Sequence, residues 1–190
     1  MQSAEMEDIE KVLRGKENPL LECKAQACPD LLRRELSSLF VSTNMNDGPL
    51  TVITFVQRTK YDMSAWSESV EDEREEVIEN FIKSAKEMCS ELRRNSQWAD
   101  FVEPNSGRPF FSPYTNATFF ETDERYRHLG FRIQDLGCCK VISHHKWGTH
   151  VFVGSIFTTA PADCEYLQEI ISQANKLKED GGDAHVSVCA

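Results

Sequence analysis

Hydrophobic positions recur at helical spacing through the middle of the chain. The apolar positions in this pattern are Val70, Val77, Ile78, Phe81, Ile82, Ala85, Cys89 and Leu92. Their 3.6-residue period predicts an amphipathic helix from Ser67 to Arg94. Acidic residues dominate its first half and basic residues its second half, an order that complements the helix dipole.

Shorter patterns predict the other elements. Leu50 to Val56 is apolar and β-branched at nearly every position, which indicates a strand buried on both faces. Apolar residues at helical spacing predict three more helices: one that begins at Pro29, one over residues 5–14 and one over residues 161–178. Residues 137–143 and 149–157 read as two strands of a hairpin joined by a turn at 144–148. Helices mixed with antiparallel strands indicate the α+β class.

Residues 95–130 hold three prolines and many aromatic side chains, which predicts a long structured loop with short strands. Within it, residues 121–128 alternate acidic and basic side chains around Tyr126. This segment suits either a solvated surface with local ion pairs or a protein interface, because Arg and Tyr are favoured at binding hot spots.

Charge and composition narrow the function classes. The 190-residue chain has a net charge of −10 and no basic patch visible in its sequence, so we expect neither nucleic-acid nor membrane binding. Seven cysteines without a disulfide spacing pattern predict free thiols in a reducing compartment. The acidic first ten residues predict a cytoplasmic protein without a secretory or mitochondrial leader.

The adjacent Cys138 and Cys139 follow Gly137 and are the candidate chemical site. Adjacent residues of a strand point to opposite faces, so one thiol is expected outside and one inside. Two readings stay open: a pair of small buried side chains, or a reactive thiolate that binds a metal or acts as a nucleophile. Lys140 and His144 share the face of Cys138, and a cation there would favour its thiolate.

Two other chemistries are disfavoured. Cys23 and Cys28 have no second ligand pair at zinc-site spacing. Four histidines are available for a cysteine–histidine nucleophile, but no recognisable nucleophile motif surrounds any cysteine.

Several stretches resemble one family along most of the chain. They are ECKAQACPDLLRRELSSLF (22–40), DMSAWSESVEDER (62–74), WADF (98–101), PYTNATFFETDERYRHLGF (113–131), DLGCCKVI (135–142) and WGTHVFVGSIFT (147–158). The sequence closely resembles the methylmalonic aciduria and homocystinuria type D family. The resemblance implies one domain over residues 22–178, preceded by a short acidic extension over 1–21. Acidic residues and glycines over 179–183 end the last predicted helix, so we expect a disordered tail over 179–190.

The resemblance implies a modified nitroreductase-like (flavin-reductase-like) fold that uses no FMN. It also implies a non-enzymatic chaperone of vitamin B12 trafficking, with cobalamin as the shared cofactor. The expected partner is the type C cobalamin-processing protein, and the expected onward acceptors are methionine synthase and methylmalonyl-CoA mutase. The acidic N-terminus favours a cytosolic role over the mitochondrial one.

The first cysteine of the DLGCC motif in the family binds the cobalt of cobalamin, which implies this role for Cys138. Cys139 is then the inward, packing member of the pair. We expect Asp123, Arg125 and Tyr126 to shape the partner surface or the thiol's environment, and Leu136 to buttress the start of the strand. Two alternatives stay open: a flavin-dependent reductase, and a purely structural adaptor of the type C protein.

Overall fold

The computed structural model describes residues 20–176. In chain order, its strands are β1 (Leu21–Ala27), β2 (Thr51–Arg58), β3 (Ala99–Glu103), β4 (Arg108–Pro109), β5 (Arg132–Asp135), β6 (Lys140–Ser143) and β7 (Val151–Thr158). The helices are α1 (Asp30–Leu36), α2 (Glu68–Arg94) and α3 (Glu165–Lys176), with a 3₁₀ helix at Glu124–Leu129. The helix expected over 5–14 and the tail expected over 179–190 lie outside the described residues.

An antiparallel sheet forms the middle layer, with strand order β1-β2-β7-β3-β4. Strand β2 lies between β1 and β7, and all of its residues except Arg58 are buried, which confirms the prediction of a central strand. Its alternate residues supply two cores: Ile53 and Phe55 face one, and Val52 and Val56 face the other. The α+β class and the mainly antiparallel sheet are therefore confirmed.

Helices α2 and α3 cover one face of the sheet. Helix α2 begins where the sequence predicts, with the Ser67 hydroxyl accepting from the Val70 N–H at 3.3 Å. On β7, Gly154 lets Phe81 of this helix come close: a Cβ built on Gly154 would lie 2.3 Å from Phe81 Cε2. Helix α3 begins at Glu165, four residues after the expected Pro161.

The other face of the sheet is covered by α1, the 3₁₀ helix and a separate two-stranded sheet of β5 and β6. The predicted hairpin of 137–143 with 149–157 is wrong. Strand β6 pairs with β5, and β7 joins the main sheet between β2 and β3. The turn at 144–148 does exist, but it closes only on an isolated bridge between His144 and Gly148. Within residues 20–176, no helix has the length and apolar character needed to cross a membrane.

Candidate functional site

The two candidate cysteines lie in the loop between β5 and β6. Asp135 and Lys140 are the last paired residues, so Leu136 to Cys139 form the tip of the hairpin. Gly137 has a φ of +83°, a left-handed conformation that a side chain would strain. Its N–H donates to Asp135 Oδ1 at 2.8 Å, and the Leu136 N–H donates to the Cys139 carbonyl at 2.9 Å. The tip is therefore an ordered turn held by one backbone hydrogen bond and by the Asp135 carboxylate.

The turn places both thiols at the surface. Cys138 is exposed and Cys139 is half-buried, and their sulfur atoms are 3.7 Å apart. The expectation that the pair would face opposite sides of a strand fails, because both residues precede β6 and neither follows the strand pleat. Cys139 is accordingly not an inward packing residue, and the reading of two buried thiols is also wrong.

The surroundings of the thiols differ from those predicted. A hydrogen bond with the Cys138 sulfur raises the pKa of Cys139. A hydrogen bond from the Trp66 side chain lowers this pKa to a smaller extent. The two predicted cations have other partners. Lys140 Nζ lies 3.2 Å from Glu124 Oε1, and the buried His144 has its Nε2 3.2 Å from Glu22 Oε1.

Two exposed apolar side chains accompany the thiols. Leu136 is 46% exposed and lies in the tip directly after β5, four residues before β6 begins. Trp66 is 77% exposed and belongs to the loop before α2. Asp62 orders that loop, because its Oδ1 accepts from the Ser64 N–H at 2.9 Å and from the Thr149 hydroxyl at 2.6 Å. Sequence reasoning missed Trp66, since nothing in its local pattern distinguishes an exposed tryptophan from a core one.

The upstream motif residues hold the segment that leads into β5. Asp123 caps the 3₁₀ helix. Arg125 donates two parallel hydrogen bonds to the Asp123 carboxylate, with Nε–Oδ1 and Nη2–Oδ2 distances of 2.8 Å each. Burial raises the pKa of Asp123, but the hydrogen bonds from Arg125 outweigh it and the net pKa is lowered. Arg125 also donates to the Thr118 carbonyl at 2.7 Å and lies 3.4 Å from Glu35 Oε2, so it fastens this helix to α1.

Tyr126 attaches the same helix to the main sheet. The ring is 2% exposed, and its hydroxyl lies 2.6 Å from Ser155 Oγ on β7. The predicted site residues Asp123, Arg125 and Tyr126 are thus brought together as one anchoring unit. Their contacts with Thr118, with Glu35 of α1 and with Ser155 of β7 hold in place the 3₁₀ helix that precedes β5.

A buried carboxylate missed by the sequence analysis joins this support. Glu121 Oε1 accepts from the Val153 N–H at 3.0 Å, and Oε2 lies 3.2 Å from Arg74 Nη1. Burial raises the pKa of Glu121, against the opposing charge of Arg74. The alternating charges of 121–128 are therefore neither simply solvated nor simply an interface, because Glu121, Arg125 and Tyr126 bind distant parts of the fold.

A basic cleft lies beside α2. Lys86, Ser90, Arg93, Arg94 and Phe111 line its roughly 430 Å³. Helical spacing brings Lys86 to the same side as Arg93 and Arg94, although Glu87 and Glu91 lie between them in the sequence. Arg93 already donates to the Ala99 carbonyl at 2.8 Å, and Arg94 pairs with Glu91. None of the candidate thiols lines this cleft. Across the described residues, no three His, Cys, Asp or Glu side chains gather as a metal site.

Comparison with known proteins identifies the family. The family model for the methylmalonic aciduria and homocystinuria type D protein matches residues 1–171. Over 154 residues, the chain is 56% identical to the cobalamin trafficking protein CblD of Gallus gallus and 55% identical to those of Homo sapiens and Rattus norvegicus. These matches cover 81% of this chain and 51% of each relative, so the chain spans about half their length. The chain belongs to the methylmalonic aciduria and homocystinuria type D protein family.

Proposed function

We propose that this chain acts in cobalamin trafficking, with the Cys138 thiolate as the group that accepts the cobalt of cobalamin. The observation that carries the proposal is the exposed position of Cys138 at the tip of an ordered hairpin. Family membership and relatives named as cobalamin trafficking proteins supply the cargo. In this role cobalamin is a cargo that arrives and leaves, and not a resident cofactor of the chain.

The chemistry of a thiolate fits this cargo. Sulfur is a soft ligand and suits low-valent cobalt better than oxygen ligands do. Coordination requires the deprotonated thiol, so acceptance should weaken as the pH falls. An exposed sulfur at a turn can reach a cobalt atom that another protein still holds, whereas the buried thiols of Cys23, Cys28 and Cys89 cannot.

The surface around Cys138 suits a protein partner. Trp66 and Leu136 are large, exposed apolar side chains beside the thiols, and tryptophan is enriched among residues that dominate binding energy. We propose the type C cobalamin-processing protein as this partner, with methionine synthase as the next acceptor. The chain's net charge of −10 argues against nucleic acid and anionic membranes as competing partners.

The proposed role is that of a chaperone and not of an enzyme, in a cytoplasmic setting. We further propose that the antiparallel sheet with its covering helices is a modified nitroreductase-like architecture that functions without FMN. A flavin-dependent reductase would instead use the basic cleft, but Arg93 and Arg94 there already have protein partners. A purely structural adaptor of the type C protein would bind it without any change at cobalt.

The test mixes the chain with type C protein loaded with cob(II)alamin and follows the UV–visible spectrum. The wild-type chain should produce a new cobalt–thiolate spectrum, and Cys138→Ala should not. Cys164→Ala is the matched control, because Cys164 is a half-buried thiol on the side of the fold covered by α2 and α3. Loss of the signal in Cys139→Ser but not in Cys138→Ser would refute the assignment of Cys138.

A purified chain that carries bound flavin would favour the reductase alternative. Binding to the type C protein with an unchanged spectrum in both the wild type and Cys138→Ala would favour the adaptor. One purified preparation can therefore distinguish the two alternatives: its own spectrum reveals bound flavin, and its mixture with the type C protein reveals binding without a change at cobalt.

A further inference from the structure

The two thiols at the hairpin tip form a close pair. Their sulfur atoms are 3.7 Å apart although the residues are neighbours in the chain. In an extended strand the two side chains would diverge to opposite faces. The turn at Gly137 instead directs both side chains so that their sulfurs meet, with Cys138 exposed and Cys139 half-buried.

The other described thiols do not share this exposure. Cys23, Cys28 and Cys89 are buried, and burial raises the pKa of each to about 12. A thiol with so high a pKa has little thiolate at neutral pH and reacts slowly with disulfides. Cys164 is half-buried and has no thiol neighbour at comparable distance among the described cysteines. The hairpin pair is therefore the place where thiol–disulfide exchange is best supported.

We propose that Cys138 and Cys139 are a reversible modification site, at which a glutathione-type disulfide oxidises the pair to a vicinal disulfide. In the first step the Cys138 thiolate attacks one sulfur of oxidised glutathione. A bond forms between Cys138 and that glutathione sulfur, the glutathione S–S bond breaks, and one glutathione thiolate leaves and takes up a proton. In the second step Cys139 loses its proton and its sulfur attacks the Cys138 sulfur, so the mixed disulfide breaks and the departing glutathione thiolate takes up that proton. The raised pKa of Cys139 lowers its thiolate fraction, but the 3.7 Å distance between the two sulfurs makes this attack intramolecular.

The electrons and protons balance in these two steps. The two protein thiols lose two electrons and two protons, and oxidised glutathione gains both to become two molecules of reduced glutathione. Cys138 reacts first because it is the more exposed sulfur. Cys139 resolves the mixed disulfide because it lies within hydrogen-bond distance of Cys138.

The covalent geometry makes the product easy to reduce. Neighbouring Cα atoms are about 3.8 Å apart across a trans peptide. Unstrained disulfides join Cα atoms roughly 4.4 to 6.8 Å apart, and shorter spacings store strain that makes the bond more reducible. The vicinal disulfide should therefore form in an oxidised glutathione buffer and open again in a reduced one.

This reaction would regulate the site described above, and that consequence rests on the proposed function. A sulfur held in a disulfide has no thiolate to offer to cobalt. The oxidised chain should consequently fail to accept cobalamin, and reduced glutathione should restore acceptance. The formation of the disulfide itself does not depend on what Cys138 binds.

Trypsin provides a clean readout. Cleavage after Arg132 and Lys140 releases the peptide IQDLGCCK, which contains both thiols and no other cysteine. The whole chain is incubated with oxidised glutathione, alkylated and digested. The wild-type peptide should escape alkylation and weigh two hydrogen atoms less than the reduced form. Cys139→Ser should keep one glutathione on Cys138, because it has no resolving thiol. Returning both proteins to reduced glutathione should regenerate alkylatable thiols.

A wild-type peptide that retains glutathione, or that stays fully alkylatable while Cys139→Ser becomes glutathionylated, would overturn the proposal. A separate arm adds the oxidised chain to type C protein loaded with cob(II)alamin. If the vicinal disulfide forms but cobalamin acceptance is unchanged, the regulatory consequence is refuted. If Cys138→Ala accepts cobalamin as well as the wild type does, the proposed function fails while the thiol chemistry is judged on the peptide alone.

Discussion

The bond between Tyr126 and Ser155 gives a quantitative test of how the hairpin is supported. Both residues are buried, with exposures of 2% and 1%, and their hydroxyl oxygens are 2.6 Å apart. Tyr126→Phe removes one hydroxyl and leaves the other buried without its partner. An unsatisfied buried hydroxyl costs about 1 to 3 kcal/mol, so the free energy of unfolding should fall by that amount. Ser155→Ala should cost a similar amount for the reciprocal reason.

The double variant Tyr126→Phe/Ser155→Ala distinguishes a bond from two independent defects. Removing both hydroxyls leaves no orphaned group, so the double variant should be less destabilised than the sum of the singles, by about 1 kcal/mol or more. Urea unfolding measures all four proteins, and the m-value should stay constant. Single effects that add to within about 0.3 kcal/mol would show that this bond does not anchor the 3₁₀ helix.

Three further predictions concern the sheet, an ion cluster and the partner surface. Gly154→Ala should destabilise the fold by about 1 to 3 kcal/mol in urea unfolding, because the added methyl group overlaps the ring of Phe81. An unchanged midpoint would contradict the packing described. Burial raises the pKa of Glu22, but hydrogen bonds from Lys146 and His144 outweigh it and lower the pKa from 4.5 to about 2. Solvent screens this partly exposed cluster, so the stabilisation is reduced from the full pKa shift to on the order of 1 to 2 kcal/mol. It should be present above about pH 5 and lost as the pH falls towards 2, so the gap in unfolding free energy between wild type and Glu22→Gln should close over that range. A pH-independent gap would contradict this. Trp66→Ala should weaken binding to the type C protein at least about tenfold without changing the melting temperature, whereas Tyr114→Ala, at another exposed aromatic, should not. Equal effects of the two substitutions would argue against a specific contact.

The elements that the sequence predicts well are those with a strong local pattern. Helix α2 has a long apolar stripe and a capping serine, and β2 is an unbroken apolar run. Strand β1 was missed because its residues, LECKAQA, include charged and polar positions and no β-branched side chain. It becomes a strand by pairing along its whole length with β2, and that partner lies far away in the chain.

The errors at the site have a similar cause. The turn at 144–148 suggested that the strands on either side of it pair with each other, yet β6 pairs with the upstream β5. Because β6 begins only at Lys140, Cys138 and Cys139 lie in the turn before it and not in the predicted strand. The strand-based prediction of which way each thiol faces is therefore wrong. The motif singles out Cys138, and its role at cobalt stays a prediction. The position of Trp66 beside Cys139 and the burial of Glu121 depend instead on contacts between distant segments of the chain.

Cobalt K-edge X-ray absorption on the complex with the type C protein tests the central claim most directly, because it reports the atoms bound to cobalt. With cob(II)alamin and the wild-type chain we expect one sulfur atom in the cobalt coordination shell, and with Cys138→Ala none. A sulfur that persists in Cys138→Ala, or a wild-type complex without sulfur at cobalt, would contradict the account.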